Sequence, residues 1–395
     1  MKTKIITIAV LNCWLCSLLL LAGCDIEIGS LYRAKYERMV QCQAPLTPGS
    51  TVAVETKAGS IELAGADIND CNVTATIAVR APSEEEAQEI AEQVQINLVP
   101  AGDRLTVKAD IPPMKRHRSV SVSYNINVPR KTNVECSSSF GSIKLDSLNG
   151  HIKARTSSGS VSSKDIQGTV ELGTSFGSIT CRNITGELLK AKTSSGAITA
   201  EKIQGSAHLE TSFGSITCRD ACDGDLTLKT SSGSITLSNA RFGNCVLRTS
   251  FGGVSCDELR GDSVELHSDS GGITATKVSA QTTKMSTSFG RIKCREMTTS
   301  NLTARSSSGS LDIACSPTTP PDLTAEATTS FGNIDFVTPP NFAGQVDLAT
   351  DFGSVKTNLP ITIVGELSKK KITGRIQEGT GRLRLKTSSG SINIR

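Results

Sequence analysis

The side chains that could bind a metal or carry out catalysis are few and widely spaced. The four histidines are His117, His151, His208 and His267, and no two of them have the spacing of zinc ligands. The glycine-rich segments precede strand-like sequence rather than helices, which argues against a phosphate-binding loop. We therefore predict no catalytic residue, no metal site and no cofactor.

Cys24 is the one residue whose surroundings predict a specific modification. Residues 1–23 have the features of a signal peptide, with two early lysines before an apolar run over residues 5–21. The run ends in Leu21-Ala22-Gly23-Cys24, which resembles the bacterial lipobox. The resemblance implies cleavage before Cys24 and acylation of that cysteine, with palmitate among the acyl chains, and thus a lipoprotein anchored to a membrane of the bacterial cell envelope. The alternative is an uncleaved anchor, since about 17 apolar residues approach spanning length.

A motif of the form Thr-Ser-Ser/Phe-Gly-Ser-Ile recurs along most of the chain. Its glycines are Gly141, Gly159, Gly177, Gly196, Gly214, Gly233, Gly252, Gly271, Gly290, Gly309, Gly332, Gly353 and Gly390. The first ten are separated by 18 or 19 residues. A constant period of this length is typical of proteins in which each repeat buries its apolar face by stacking on the next one. Because the repeats lack helical periodicity, we predict an all-β fold, a right-handed parallel β-solenoid with 18–19-residue rungs.

Apolar and polar residues alternate on both sides of the motif glycine, which we number position 0. Positions −7, −5, +2, +4 and +7 are mostly apolar, whereas position +3 is mostly Ser or Thr. A period of two indicates strands with one buried face. Counting in twos from −7 also places position −1 inside, where Phe and Ser alternate from Phe140 to Phe331. We therefore expect the phenylalanines to fill the core above the small serines of neighbouring rungs. The alternative is a duplicated two-rung unit with no packing role.

Four cysteines share position +4 on the rungs that contain phenylalanine. They are Cys181, Cys218, Cys256 and Cys294. An even number of cysteines in an exported chain normally indicates disulfides. Equivalent positions two rungs apart, however, are ~9.6 Å from each other, beyond the ~7 Å limit between bridged Cα atoms. We therefore expect buried free thiols at these positions, and the sequence leaves open whether Cys42, Cys71, Cys222 and Cys315 form disulfides.

The chain divides into five parts. Residues 1–23 are the predicted signal peptide, and residues 24–49 are expected to be the lipidated cysteine followed by a tether. Residues 50–135 are expected to form an N-terminal cap layer of strands with a helix over 83–95, since Ser83 and Glu86 have the spacing of a capping box. Residues 136–316 are the regular solenoid, and residues 317–395 are irregular rungs with proline-rich loops.

These repeats and their flanks resemble one bacterial family. The rungs carry the motif above, the segment before them ends in Ile126-Asn127-Val128-Pro129, and the last rung runs from Leu383 to Ile392. Over about residues 50–395 the chain is similar to the bacterial putative-adhesin family of exported β-strand-repeat proteins. The resemblance implies a β-strand-repeat protein that is exported or membrane-anchored, and it transfers no catalytic residue.

Two classes of function fit such a rod. The first, which we favour, is a non-enzymatic envelope lipoprotein that presents a rigid adhesin-like or structural surface to a polysaccharide or protein partner. The second is a carbohydrate-active β-helix enzyme, for which Asp312 and Asp335, one rung apart at equivalent positions, would be the acids of a calcium site. Some members of the family suggest an accessory role in envelope-stress signalling. With 42 basic and 38 acidic residues, the charge balance argues against a nucleic-acid partner.

Overall fold

The computed structural model describes residues 34–395, which form 28 strands and one helix. The N-terminal elements are β1 (Ala34–Pro45), β2 (Thr51–Ala58), β3 (Ile61–Ala66), β4 (Asp70–Ala81), α1 (Glu84–Gln93), β5 (Gln95–Ala101), β6 (Arg104–Asp110) and β7 (Ser119–Pro129). The regular part contains β8 (Asn133–Phe140), β9 (Ile143–Asn149), β10 (Ile152–Thr156), β11 (Val161–Gln167), β12 (Val170–Thr174), β13 (Ile179–Lys192), β14 (Ile198–Glu210), β15 (Ile216–Lys229), β16 (Ile235–Thr249), β17 (Val254–Ser268), β18 (Ile273–Thr287), β19 (Ile292–Ser306) and β20 (Leu311–Cys315). The C-terminal strands are β21 (Thr324–Phe331), β22 (Ile334–Val337), β23 (Gly344–Thr350), β24 (Val355–Thr357), β25 (Thr362–Leu367), β26 (Lys371–Ile376), β27 (Gly381–Ser389) and β28 (Ile392–Ile394).

The strands of successive rungs stack in parallel, so that equivalent residues form columns. Ile198 of β14, for example, lies between Ile179 of β13 and Ile216 of β15 in the sheet register. Residues at positions −7, −5, +2, +4 and +7 are buried along the rungs, while the residues at −6, −4 and +3 face outward. The prediction of an all-β, parallel β-solenoid with 18–19-residue rungs is confirmed, whereas its right-handed coil stays a prediction.

The Thr at position −3 is a structural part of the motif. Thr211 is buried, and its Oγ1 donates a hydrogen bond of 2.9 Å to the carbonyl oxygen of Gly196, the corner glycine of the preceding rung. Equivalent bonds join Thr193 to Gly177 and Thr230 to Gly214. Since a buried carbonyl without a partner costs free energy, this side chain satisfies a backbone group that the corner takes out of the strand ladder.

The corner glycines stack on one another with no room for a side chain. A methyl group on Gly214 would lie 1.8 Å from the carbonyl oxygen of Gly196, and one on Gly233 would lie 1.8 Å from that of Gly214. The clash is with backbone atoms, which cannot move aside without opening the stack. The glycine is therefore required at position 0 by close approach.

The expectation that position −1 lies in the core is wrong. The phenylalanines at this position are exposed, including Phe213, which is 71% accessible. Five positions separate the buried Thr at −3 from the buried residue at +2, and an odd separation cannot keep an alternation of two in phase. The chain turns at the corner instead of continuing as a strand, so the residue before the glycine points outward.

A second bend lies at position +6, where the backbone adopts a left-handed conformation. Nine successive rungs have a non-glycine residue there with φ between 50° and 57°: Ser147, Asp165, Asn183, Lys202, Asp220, Asn239, Glu258, Lys277 and Glu296. Asn and Asp tolerate this conformation better than most residues. Some of these side chains also bond along the column, as Asn183 does to Asp165 at 2.6 Å. The bend turns the next residue, at +7, into the core.

The N-terminal cap contains the predicted helix. α1 begins after Ser83, whose side chain accepts a hydrogen bond from the Glu86 N–H, while the Glu86 carboxylate pairs with Arg118. Ala87 and Ala91 are its buried residues. Within residues 34–395, no helix is long and apolar enough to cross a membrane.

Part of the expected tether is a strand. β1 pairs antiparallel with β4 over its whole length, from Ala34 opposite Ala81 to Pro45 opposite Asp70. One side of β1 packs against the core through partly buried residues such as Val40. Except at Arg38, the partly buried side of β1 is apolar, and it gains a partner sheet that the local sequence did not reveal.

Two segments of the cap layer are themselves part of the column. β2 and β3 pair in parallel with β8 and β9, so Gly59 is the corner of a rung below Gly141. On the other side, β6 and β7 pair in parallel with β2 and β3. The cap therefore continues the register of the solenoid before closing it with antiparallel strands.

At the C-terminal end, the order of the rungs differs from their order in the chain. β27 pairs in parallel with both β21 and β23, and β28 with both β22 and β24. The last segment of the chain thus lies between two segments that precede it. Gly390 stacks on Gly332, and Gly353 stacks on Gly390. β25 and β26 form an antiparallel hairpin beside β23.

The cysteines at position +4 are buried free thiols, as expected. All ten cysteines of residues 34–395 are free, and Cys181, Cys218, Cys256 and Cys294 are buried. Burial raises the pKa of the Cys181 and Cys218 thiols to about 12. Cys42, Cys71, Cys222 and Cys315, whose pairing the sequence left open, form no disulfide in this part of the chain.

Candidate binding surface

Seven phenylalanines form an exposed line along one corner of the solenoid. This phenylalanine ladder consists of Phe140, Phe176, Phe213, Phe251, Phe289, Phe331 and Phe352. Their exposed fractions lie between 64% and 77%. Scattered apolar residues are normal on a protein surface, whereas an ordered array of large apolar side chains marks an interaction surface. The ladder is thus the candidate functional site.

The inserted C-terminal rung keeps the ladder regular. In the chain, Phe331 and Phe352 occupy consecutive copies of the motif, which breaks the alternation of Phe and Ser. In the fold, Ser389 lies between them, because it pairs with Phe331 and the Phe352 N–H bonds to the carbonyl of Ser388. The ladder therefore has a phenylalanine on every second rung up to its end.

The backbone that carries the rings is held by hydrogen bonds between rungs. The N–H of Phe213 donates to the carbonyl of Ser194 at 3.0 Å, and that of Phe176 donates to Ser157 at the same distance. Because the glycine next to each phenylalanine is also fixed by close packing, the anchor points of the rings have little freedom. A surface organised in this way before binding loses less conformational entropy when a ligand binds.

The spacing of the rings follows from the spacing of the strands. Neighbouring rungs are ~4.8 Å apart, so rings on alternate rungs are ~9.6 Å apart, and seven of them span roughly 58 Å. Stacked aromatic pairs have centroids ~4.5–7 Å apart. The rings are therefore too far apart to cover one another, and each remains available to a ligand.

From the Gly159 rung to the Gly271 rung, one side of the ladder is uncharged and rich in hydroxyl groups, whereas the rungs of Phe140 and Phe289 carry Lys144, Arg291 and Lys293 there. Outward residues at +1 and +3 from the Gly159 rung to the Gly271 rung are Ser160, Ser162, Ser178, Thr180, Ala197, Thr199, Ser215, Thr217, Ser234, Thr236, Gly253, Ser255, Gly272 and Thr274. The sheet register places these side chains in columns parallel to the ladder. This side offers hydrogen bonds to a ligand without adding charge.

The other side of the ladder is charged. Outward positions −6 and −4 between residues 153 and 305 contain eight basic residues, Lys153, Arg155, Lys190, Lys192, Lys229, Arg248, Lys284 and Arg305, against three acidic ones, Glu171, Glu210 and Glu265. Ion pairs join neighbouring rungs, as between Arg155 and Glu171 at 2.8 Å and between Lys192 and Glu210 at 2.9 Å. The hydrogen bond from Arg155 lowers the pKa of Glu171. Because basic residues outnumber acidic ones between residues 153 and 305, this stretch is positive, whereas the rungs of Phe140, Phe331 and Phe352 carry Glu135, Glu326 and Asp347 at position −6.

A depression of about 340 Å³ lies on the charged side, on the rung of Phe176. Gly173 lies between Arg155 and Lys192 in the sheet register, and its missing side chain leaves the space. Arg155, Glu171, Lys190 and Lys192 line it together with small hydroxyl residues. Arg155 and Lys190 pair with Glu171, and Lys192 pairs with Glu210, so the three cations exceed their acidic partners by one positive charge.

The acidic pair expected for a carbohydrate-active enzyme is close in space, but Asp312 is held by arginines and Asp335 accepts a hydrogen bond from Asn393. Asp312 and Asp335 are register partners on neighbouring rungs. Arg295 holds Asp312 through two hydrogen bonds of 2.7 and 2.8 Å, and Arg291 adds a third at 2.9 Å. The Arg295 bonds lower the pKa of Asp312. The geometry is that of an ion-pair cluster on the rung surface.

The other residues singled out from the sequence do not converge on a site. His151 is exposed, His208 lies 3.6 Å from Glu210, and the ring of His267 contacts Ser286 and Asp269. Among residues 34–395, no three His, Cys, Asp or Glu side chains are grouped as metal ligands would be. Cys24, the predicted lipidation site, and residues 1–23 lie outside the described residues.

The repeat pattern shows the ladder, but counting in twos predicts it in the core. Position −3 has the same parity as −1, so an inward Thr does not by itself place −1 outside. The signal against the core assignment is the odd number of positions between the Thr at −3 and the apolar residue at +2, because it shows that the alternation breaks at the corner.

Comparison with protein families identifies the C-terminal part of the rod. Residues 215–395 match the Toastrack DUF4097 family. Over these residues the match confirms the resemblance predicted from the repeats. The Toastrack segment begins at Ser215, in the middle of the solenoid, and the same glycine corner continues without a break below it to Gly59. No curated protein matches the chain.

Three bacterial proteins of known structure are similar to this chain at low identity. A putative cell adhesion protein from Clostridium sporogenes is 9% identical, with 90% of this chain and 99% of that chain covered and a TM-score of 0.20. A putative lipid binding protein from Parabacteroides distasonis is 14% identical, with 70% and 96% covered and a TM-score of 0.34. A putative adhesin from Bacteroides fragilis is 12% identical, with 70% and 96% covered and a TM-score of 0.25.

Proposed function

We propose that this protein is a non-enzymatic binding protein of the bacterial cell envelope and that the phenylalanine ladder is its contact surface. The observation that carries the proposal is the exposure of seven phenylalanines in one line. Transfer of a phenylalanine side chain from water into an apolar contact is worth about 1.5–3 kcal/mol. A fold that repeatedly forgoes this gain at one position has those rings free for a partner.

The rigidity of the solenoid supports a role in presenting a surface. Every rung is bonded to two neighbours by its strands, and the corner adds the Thr-to-Gly bond and the glycine stack. Ligand sites of enzymes are usually concave and enclose their substrate, whereas the rings of the ladder are largely exposed at the corners of successive rungs. Contact with an extended partner or surface suits this shape.

The proposed anchor would hold the N-terminal end of the rod close to a membrane. Acylation of Cys24 would hold the chain on an envelope membrane, and nine residues separate Cys24 from Ala34, where β1 begins. Nine residues reach at most roughly 30 Å. The rod would thus stand near the membrane on which it is anchored.

Two measurements test the anchor. We expect the full-length protein to leave bacterial membranes with detergent but not with high salt, because acyl chains and not surface charges would hold it. Cys24→Ala should accumulate as an unprocessed precursor. Normal cleavage of Cys24→Ala, with its membrane association retained, would refute lipidation.

The binding role is tested with the full-length protein purified in detergent. Binding to immobilised cell-wall and extracellular glycans and to envelope proteins is compared for the wild type and for Phe176→Ser/Phe213→Ser/Phe251→Ser. The control is Ser158→Ala/Ser195→Ala/Ser232→Ala, which changes the same position on the intervening rungs. We expect the phenylalanine variant alone to lose binding. Binding that is equal in all three proteins would show that another surface is used, and release of cleaved glycan would contradict the non-enzymatic role.

A further inference from the structure

We propose that the phenylalanine ladder binds an extended, acidic, β-1,4-linked polysaccharide whose chain runs parallel to the solenoid axis. This inference rests on the function proposed above and names the chemistry of the partner. Three properties of the surface support it: the interval between rings, the hydroxyl groups on one side and the positive charge on the other.

The interval between rings fits a glycan with a two-residue repeat. A pyranose ring has an apolar face of C–H groups that packs against an aromatic ring. In an extended β-1,4-linked chain, successive sugars are turned over, so the same face recurs once in every disaccharide. The rings of the ladder recur every ~9.6 Å, which is close to the length of one such disaccharide. A straight chain could therefore place every second sugar on a phenylalanine.

The rungs without a phenylalanine can accommodate the second sugar of each disaccharide. A serine occupies position −1 on these rungs, as at Ser195 and Ser232, and leaves room beside the larger rings. The hydroxyl column next to it, which includes Thr199 and Thr217, can donate to and accept from sugar hydroxyl groups. Each disaccharide would thus meet one aromatic ring and one set of hydroxyl groups.

The charged side selects an acidic glycan. Between residues 153 and 305, basic residues exceed acidic ones at positions −6 and −4. Three of them line the depression beside Phe176, where they outnumber their two ion-pair partners, Glu171 and Glu210. Lys229 on the Gly233 rung is exposed, and no acidic residue occupies positions −6 and −4 of that rung. A carboxylate on the sugar would complement this charge, and the interaction would weaken with added salt.

The same pattern disfavours a membrane as the occupant. Proteins that lie on a bilayer present a contiguous apolar face to it. Here single rings are separated by serine rungs and flanked by polar columns, including Glu171 and Glu210. A line of separated rings suits a linear ligand.

The experiment uses calorimetry on the full-length protein in detergent. The probes are β-1,4-linked mannuronate oligosaccharides from tetramer to dodecamer, neutral cello-oligosaccharides of the same lengths, and anionic phosphatidylglycerol vesicles. We expect the mannuronate oligomers to bind, with an affinity that rises with each added disaccharide. The long oligomer should lose about 100-fold in affinity for Phe176→Ser/Phe213→Ser/Phe251→Ser, because contacts joined in one chain reinforce one another.

Two further variants separate the parts of the proposal. Lys190→Gln/Lys192→Gln should lower the affinity for acidic oligomers and make that affinity less dependent on salt. Ser158→Ala/Ser195→Ala/Ser232→Ala should bind these oligomers as the wild type does. No binding of mannuronate, equal affinity at all lengths, equal affinity for neutral oligomers, or ladder-dependent binding of vesicles alone would each overturn this inference. If mannuronate oligomers do not bind, while binding of another envelope component still requires the three phenylalanines, the proposed function stands without this inference. If no envelope component requires them, the proposed function fails as well.

Discussion

Thr211 Oγ1 donates a 2.9 Å hydrogen bond to the carbonyl oxygen of Gly196, and this bond ties each corner to the one before it. Replacing Thr211 with Val keeps the shape but removes the donor and leaves a buried acceptor without its partner. We expect Thr211→Val to lower the free energy of unfolding by about 1–3 kcal/mol. Equilibrium denaturation measures the change. The control is Thr217→Val, at an outward position, for which a loss as large as that of Thr211→Val would contradict the role of the corner bond.

The glycine stack makes a second stability prediction. Gly214→Ala would place a methyl group 1.8 Å from a backbone oxygen, so the rungs must separate. We expect a loss above about 4 kcal/mol, since such large effects arise from severe overpacking. Gly173→Ala is the matched control, because its nearest contact would be a side-chain atom at 3.6 Å. Similar unfolding midpoints for the two variants would show that the stack tolerates a side chain.

The exposure of Phe213 can be checked without knowing the ligand. Phe213→Ala should change the free energy of unfolding by no more than about 0.5 kcal/mol, as is usual at the surface. Ile216→Ala, three residues later and fully buried, should lose about 2–5 kcal/mol. Chemical denaturation of both variants decides the matter. If Phe213→Ala proves as destabilised as Ile216→Ala, position −1 lies in the core.

The cluster around Asp312 predicts a dependence of stability on pH. Its pKa is lowered from 3.8, chiefly by the Arg295 hydrogen bonds. The folded state thus prefers the carboxylate, so the contribution to stability is present above the ordinary pKa and is lost as the pH falls through the lowered one. Denaturation from about pH 6 to pH 2 should show this loss in the wild type. Asp312→Asn should be less stable at neutral pH and should lose less on acidification.

The control for this titration is Asp351→Asn, at an exposed corner position. Its acid profile should parallel that of the wild type. A wild-type profile that Asp312→Asn leaves unchanged would mean that the arginine cluster adds nothing to stability.

The thiols give a prediction that tests the core directly. In native protein, Cys222 and Cys42 are partly exposed and the other eight described cysteines are buried. A thiol reagent at about pH 8 should label at most these two, because burial both blocks access and holds thiols such as Cys218, with a pKa near 12, in the protonated form. All ten should react after denaturation without reductant. Peptide mapping that finds a bridge between two cysteines of the +4 column would overturn their inward placement.

Most of the solenoid could be predicted from the sequence because its signals are local and repeated. Ile198, Ile216 and Ile235 follow their corner glycines at the same distance, and stacking them in register buries all three. The free thiols followed from the same register, since cysteines two rungs apart cannot reach each other. The repeat period and the alternation of residues are sufficient to predict which side chains are buried wherever the chain continues as a strand.

The remaining features depend on geometry that a periodic pattern does not contain. Counting in twos predicts the wrong side for Phe213, because the chain turns at the corner and the alternation of inward and outward residues shifts there. The pairing of β1 with β4 depends on residues brought together by the turns between them. The place of Gly390 between Gly332 and Gly353 depends on which of several similar rungs pairs best, and the interruption in the Phe and Ser alternation was its only sequence signal.

The position of the last rung has a consequence for biosynthesis. Rungs from the Gly141 corner onward can add to the growing column in the order in which they emerge from the ribosome or the export channel. β23 and β24, however, find their parallel partners only when β27 and β28 have been made. This part of the rod therefore closes only when β27 and β28 have been delivered, so β23 and β24 wait without their parallel partners until then.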